Sequence, residues 1–246
     1  MLLVTIVFAN NFLNARIAEN EFGAMKQFMQ TVGLQLDDVA WTIGRAQTVR
    51  YASKFGQVNY VDEALTYTVY LNDETDCWAN FTTGILLFNM PIAMYSLGND
   101  YYESVFPSNR SFIHMGASAP VSYVYVVEKL PMVDGSFIRV VVVPTIRVLN
   151  SKITTDNYFK FYLPILSEGT HPRRSQSVTL TGKNVSVKTA SNVKTVKISV
   201  SFPESARGFD ADFFNFEKTE VVVDVPDGSI IEFYTGEVTV SLGLHV

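Results

Sequence analysis

An α+β architecture, one long N-terminal α-helix followed by a mainly antiparallel β-sandwich domain, is the fold that the sequence predicts. Three observations carry it. The first is an apolar seam through Met1, Val4, Phe8, Ala15, Ala18, Phe22, Met25, Met29, Val32, Leu36, Val39, Ile43 and Ala46, broken only by polar Asn11. Its steps alternate three and four residues, the spacing that lines one side of a helix. The second is a change of period from 3.5 to 2 near Gly56, after which β-branched and aromatic residues dominate. The third is the lack of any βαβ rhythm among the segments that follow, which are short and separated by Gly, Pro, Asn and Ser.

No proline interrupts the seam, so the helix is expected over residues 2–52, about 75 Å at 1.5 Å per residue. Gly23, Gly33 and Gly44 each weaken it by about 1 kcal/mol relative to alanine and mark bends or close approaches. Trp41, beside the seam, is expected to pack on the β domain, and Gly56 to supply the left-handed residue that ends the helix.

Strands are expected at 64–71, 84–94, 121–127, 136–149, 158–166, 177–180, 185–188, 193–202, 219–225, 230–234 and 237–246. The division is then 1–54 as a helical core segment and stalk and 55–246 as a β-rich domain. Polar stretches at Asn150–Asp156 and Ser167–Ser177 offer a candidate split into two lobes at 150–175.

Composition narrows the function classes. The chain has 246 residues, 48% hydrophobic and 17% charged, below the quarter or so charged in an average soluble domain. A net charge of −5 argues against nucleic acid as a partner. The single cysteine, Cys77, excludes an intrachain disulfide. Residues 1–9, MLLVTIVFA, are almost continuously apolar, yet a bilayer needs about twenty such residues. They lack the basic segment of a secretory signal and read as the end of a longer apolar run in a membrane or filament core.

Residues that could carry chemistry are sparse. His114, His171 and His245 are scattered, with no metal-ligand spacing. Cys77 has no neighbouring Cys or His, and no nucleophile-elbow, P-loop or dinucleotide-binding motif occurs. Asn72, Asp73, Glu74 and Asp76 read as a hydrated turn before a cation site, and Asp210 and Asp212 are equally weak candidates. Arg173, Arg174, Lys183, Lys188, Lys194 and Lys197 read as a solvated basic face. The expectation is a non-enzyme with no catalytic residue, no metal and no cofactor. Asn80-Phe81-Thr82, Asn109-Arg110-Ser111 and Asn184-Val185-Ser186 are N-glycosylation sequons, useful only to an exported chain.

The apolar N-terminus running without a break into a long helix, the disulfide-free Thr/Asn/Val-rich β region, and the phrase AENEFGAMKQFMQTVGLQLDDVAWTIGRAQTVRY together resemble the archaeal type IV pilin-like surface filament subunits, the adhesion pilins and archaellins. Thr5 stands where bacterial pilins carry glutamate. The resemblance implies an extracellular filament on the cell surface, built from copies of the chain that are held in the membrane before assembly. Leu2, Leu3, Val4, Ile6, Val7, Phe8, Phe12 and Leu13 would make the deepest helix contacts. Phe22, Met25 and Met29 would be shared between neighbouring helices and the chain's own sheet, with the β domain and any surface glycans outside. The alternative is a membrane-anchored extracellular β-sandwich on a helical stalk that binds a carbohydrate or protein.

Overall fold

The computed structural model describes residues 2–72, 74–153, 156–170 and 176–243, with side chains from Phe12 onward. It holds one long helix, α1 (Leu2–Ala40), and a mixed sheet of eleven strands. These are β1 (Ala46–Arg50), β2 (Gln57–Leu71), β3 (Ala79–Pro91), β4 (Tyr101–Phe106), β5 (Ile113–Met115), β6 (Ser122–Glu128), β7 (Phe137–Pro144), β8 (Ile146–Ile153), β9 (Asp156–Glu168), β10 (Ser177–Ser201) and β11 (Glu220–Leu242). A 3-10 turn, Pro203–Arg207, and the short helix α2 (Ala211–Phe214) fall between the last two strands.

The seam folds as its spacing dictates over part of its length. Ala18, Phe22, Met25, Met29, Val32, Leu36 and Val39 are all buried. The helix ends at Ala40, however, and not near residue 52. Ile43 and Ala46 continue the apolar spacing, but Gly44 takes φ +80° and turns the chain, leaving Ile43 66% exposed. Residues 46–50 of the expected helix are β1, paired with Ser177–Thr181 of β10. Gly56 does not end a helix. It lies against the Phe88 ring, where an added Cβ would come within 2.3 Å of Cζ.

The strand order is β4-β6-β7-β3-β2-β10-β11-β9-β8-β5, with β1 on β10. Two pairings, β9–β11 and β5–β8, are parallel, and the other pairings among the described residues are antiparallel. The expected strand 136–149 is two strands parted at Thr145. Segments at 177–180, 185–188 and 193–202 are one strand, β10, of 25 residues. Those at 219–225, 230–234 and 237–246 are one strand, β11, which ends at Leu242, with 244–246 outside the described residues. The sheet continues across the candidate lobe division, since β9 pairs with both β8 and β11.

Alternation along the strands makes two cores on opposite faces. In β3, β6 and β7, Ile85, Leu87, Tyr123, Tyr125, Val141 and Val143 turn one way and join Phe161, Leu163, Ile231 and Phe233. Leu86, Phe88, Val124, Val126, Val140 and Val142 turn the other way, under α1, with Leu180, Val238 and Val240. In β10, even-numbered Val178 and Leu180 face the helix while even-numbered Val196 and Ile198 face the other core. Register shifts at Gly182/Asn184, Ala190/Val193 and Val193/Thr195 make this reversal compatible with a two-residue pleat. The helix can approach this closely because the sheet offers it glycine. A Cβ on Gly236 would meet the Ala40 carbonyl oxygen at 2.3 Å.

Candidate functional site

Among the described side chains of α1, burial by the sheet begins at Ala18. Before that point Phe12 is 59% exposed, Leu13 58% and Ile17 44%. Leu13 and Ile17 are one turn apart and share a side, and that side is not the one that carries Ala18, Phe22 and Met25 into the sheet. The Arg16 guanidinium lies 5.6 Å over the Phe12 ring and pairs with Glu19 at 2.8 Å. A hollow lined by Asn14, Ala15, Ala93 and Met94 marks where helix and sheet part.

The helix contacts expected from sequence therefore divide into three groups. Leu2, Leu3, Val4, Ile6, Val7 and Phe8 lie in α1, and their side chains are outside the described residues. Phe12 and Leu13 are bare apolar surface. Phe22, Met25 and Met29 are buried against the chain's own sheet, with almost no surface left on them in the protomer. Phe22 also packs on Tyr95 at 5.2 Å.

Polar clamps fix the covered part of the helix. Glu21 reaches the link between β1 and β2. Its Oε1 accepts from the Ser53 hydroxyl at 2.5 Å and the Phe55 and Gly56 amides at 3.0 and 3.1 Å, and its Oε2 from the Lys54 amide at 2.8 Å. Lys26 donates to Glu103 of β4 at 3.0 Å. Asp37 accepts from Trp41 Nε1 at 2.8 Å and from Arg147 of β8 at 2.7 Å. Trp41 meets Tyr162 of β9 edge-on at 5.2 Å, the packing on the β domain expected of it.

Among the described residues, the histidine, cysteine and acidic candidates do not gather into one cluster. His114 is 5% exposed on β5, its Nε2 without a partner, and burial lowers its pKa to about 4. Cys77 is exposed and accepts a hydrogen bond from Asn80 Nδ2 at 3.6 Å. His171, His245, Asp73, Arg173 and Arg174 lie outside the described residues. Asn72 supports a turn: its Oδ1 accepts from the Lys194 amide and its Nδ2 donates to the Asn192 carbonyl. Asp210 caps α2 by accepting from the Phe213 amide at 2.9 Å and pairs with Lys129 at 2.7 Å. Burial pushes its pKa up, but the Lys129 ammonium and the Phe213 and Asp212 amides outweigh this and hold it below the usual range. Among the described residues no group of three or more His, Cys, Asp and Glu could hold a metal ion. No described helix is long and apolar enough to cross a membrane. Asn80, Asn109 and Asn184 are all exposed.

One cleft went unseen in the sequence. It lies beside β4 and is lined by Asp100, Tyr101, Tyr102, Val127, Lys129, Asp212 and Asn215, with a volume of about 230 Å³. These residues come from three distant segments, so no local pattern marks them.

No protein-family model, curated protein or solved structure matches the chain.

Proposed function

We propose that the chain is the structural subunit of an extracellular type IV pilus-like filament, polymerising through its N-terminal helix with the β domain outside. In this reading the two cores reflect a sheet folded into a sandwich that is capped on one face by α1. The carrying observation is the abrupt end of coverage at Ala18, beyond which Phe12, Leu13 and Ile17 are bare on a helix that continues to Leu2. Burying a large aliphatic or aromatic side chain stabilises by about 1.5–3 kcal/mol. Copies packed around this part of the helix would gain that at several positions each. The exposed sequons suit a domain that faces outward.

The test is the full chain carrying Leu13→Asp and Ile17→Asp, examined by negative-stain microscopy and light scattering. Wild-type chain should form filaments. The double variant should stay monodisperse with an unchanged thermal midpoint, because neither side chain contributes to the protomer's core while a charge between packed helices is costly. Filaments formed equally well by both would sink the proposal. Monodisperse wild-type chain would favour the stalked binding module.

A further inference from the structure

We infer that the cleft beside β4 is a binding site for a neutral saccharide, a pyranose ring of a glycan. The site is independent of the filament reading, since none of its lining residues belongs to α1. Its walls are held in place before any ligand arrives. The Tyr102 ring stacks on Tyr125 at 5.2 Å, and its hydroxyl hydrogen-bonds that of Tyr123. Asn215 is fixed by Arg110, whose Nη1 donates to Oδ1 at 3.0 Å; this leaves the amide Nδ2 as a donor. Lys129 is held by Asp210 at 2.7 Å and faces Asp212 at 3.6 Å. Asp100 and Asn215 both sit at positive φ, 64° and 50°, which aims two short polar side chains from tight turns.

The chemistry selects the ligand class. An aromatic ring supplies an apolar platform. Around it stand carboxylate acceptors, Asp100 and Asp212, and nitrogen donors, Lys129 and Asn215. Planar polar groups of both kinds suit vicinal hydroxyls, each of which donates and accepts. The single ammonium is already neutralised by Asp210 and Asp212, so an anion finds no free positive charge. A sugar ring also fits the volume. A ligand of about a dozen heavy atoms in so open a cleft should bind with a dissociation constant of about 1–10 mM, and avidity in an assembly would raise this.

Saturation-transfer NMR on the full chain tests the site in filament or monomer alike. The probes are the methyl glycosides of glucose, mannose, galactose and N-acetylglucosamine, each raised to about 20 mM. At least one should saturate. Asp212→Ala and Asn215→Gly should each weaken it about fivefold or more; both are safe for folding, since Asp212 is exposed and glycine accepts the positive φ of Asn215. The inference is overturned if none of the four saturates, or if both variants bind like wild type. It is equally overturned if tetramethylammonium saturates below every glycoside, which would make the cleft a cation site.

Discussion

Burial of His114 makes one imidazole a term in the protein's acid sensitivity. Its folded pKa, about 4, lies below the ordinary 6.5 of an unfolded chain, so between these values the unfolded state binds a proton that the folded state refuses. The stabilisation is complete above pH 6.5 and drains away as pH falls toward 4. Linkage gives a loss of about 2 kcal/mol between pH 7 and 5. Urea midpoints at pH 7, 6 and 5 should therefore fall more steeply for wild type than for His114→Gln. Two glycines of α1 should respond oppositely to alanine. Gly23 has no heavy atom within 4 Å of an added Cβ, whereas at Gly33 that Cβ would meet Val124 Cγ2 at 2.8 Å. Gly23→Ala should stabilise by about 0.5–1 kcal/mol and Gly33→Ala should destabilise by about 1–3 kcal/mol, as read by urea titration. The sequence shows both as helix-weakening residues, but only the approach of β6, with Val124 and with Ser122, whose hydroxyl donates to the Gly33 carbonyl at 2.8 Å, separates the tight one from the loose one.

Elements were legible where burial enforces a period and illegible where it does not. Val32, Leu36 and Val39 reveal the helix because a sheet waits beneath them. Ile43 keeps the spacing without any such partner, and a single left-handed glycine outvotes it. Strand β10 reads as three short pieces because its apolar alternation lapses at exposed Lys183, Asn184, Ser191 and Asn192, and β11 reads as pieces because it lapses at Pro226, Asp227 and Gly228; in the structure each is one continuous strand. Short β4 and β5 carry too little pattern to be seen at all. The link between β1 and β2, also polar, is ordered by a carboxylate 32 residues before it, at Glu21. Glu21→Ala would leave the Lys54 and Phe55 amides without their acceptor, while the Ser53 hydroxyl keeps the Gly56 carbonyl and the Gly56 amide keeps the Ser53 hydroxyl, at a cost of about 1–3 kcal/mol. Hydrogen exchange should quicken at Lys54 and Phe55 while amides in the centre of β3 keep their protection. Unchanged exchange at those two would mean that the link holds its shape unaided.

At the scale of the molecule, neither core is complete without the other's strands. β11 contributes Ile231 and Phe233 to one face and Val238 and Val240 to the other. Val124→Ala, under the helix, and Phe161→Ala, in the opposite core, should therefore each lower a single common thermal transition. Calorimetry that resolved two transitions, each moved by only one of the substitutions, would contradict this. The cleft by Tyr102 also belongs to this scale: it exists only once β4, β6 and α2 meet, which is why a linear reading passes over it.

The long strand β11 also sets a timetable for biosynthesis. While a ribosome is still making residues 1–219, the apolar side of α1 has only part of its floor, and β9 and β10 wait for the strand that will lie between them. Contacts this distant in sequence form slowly. The nascent chain must pass through a stage in which sticky helix and open strand edges coexist. Binding of that helix by a chaperone or a lipid surface during synthesis would protect the chain until the closing strand arrives.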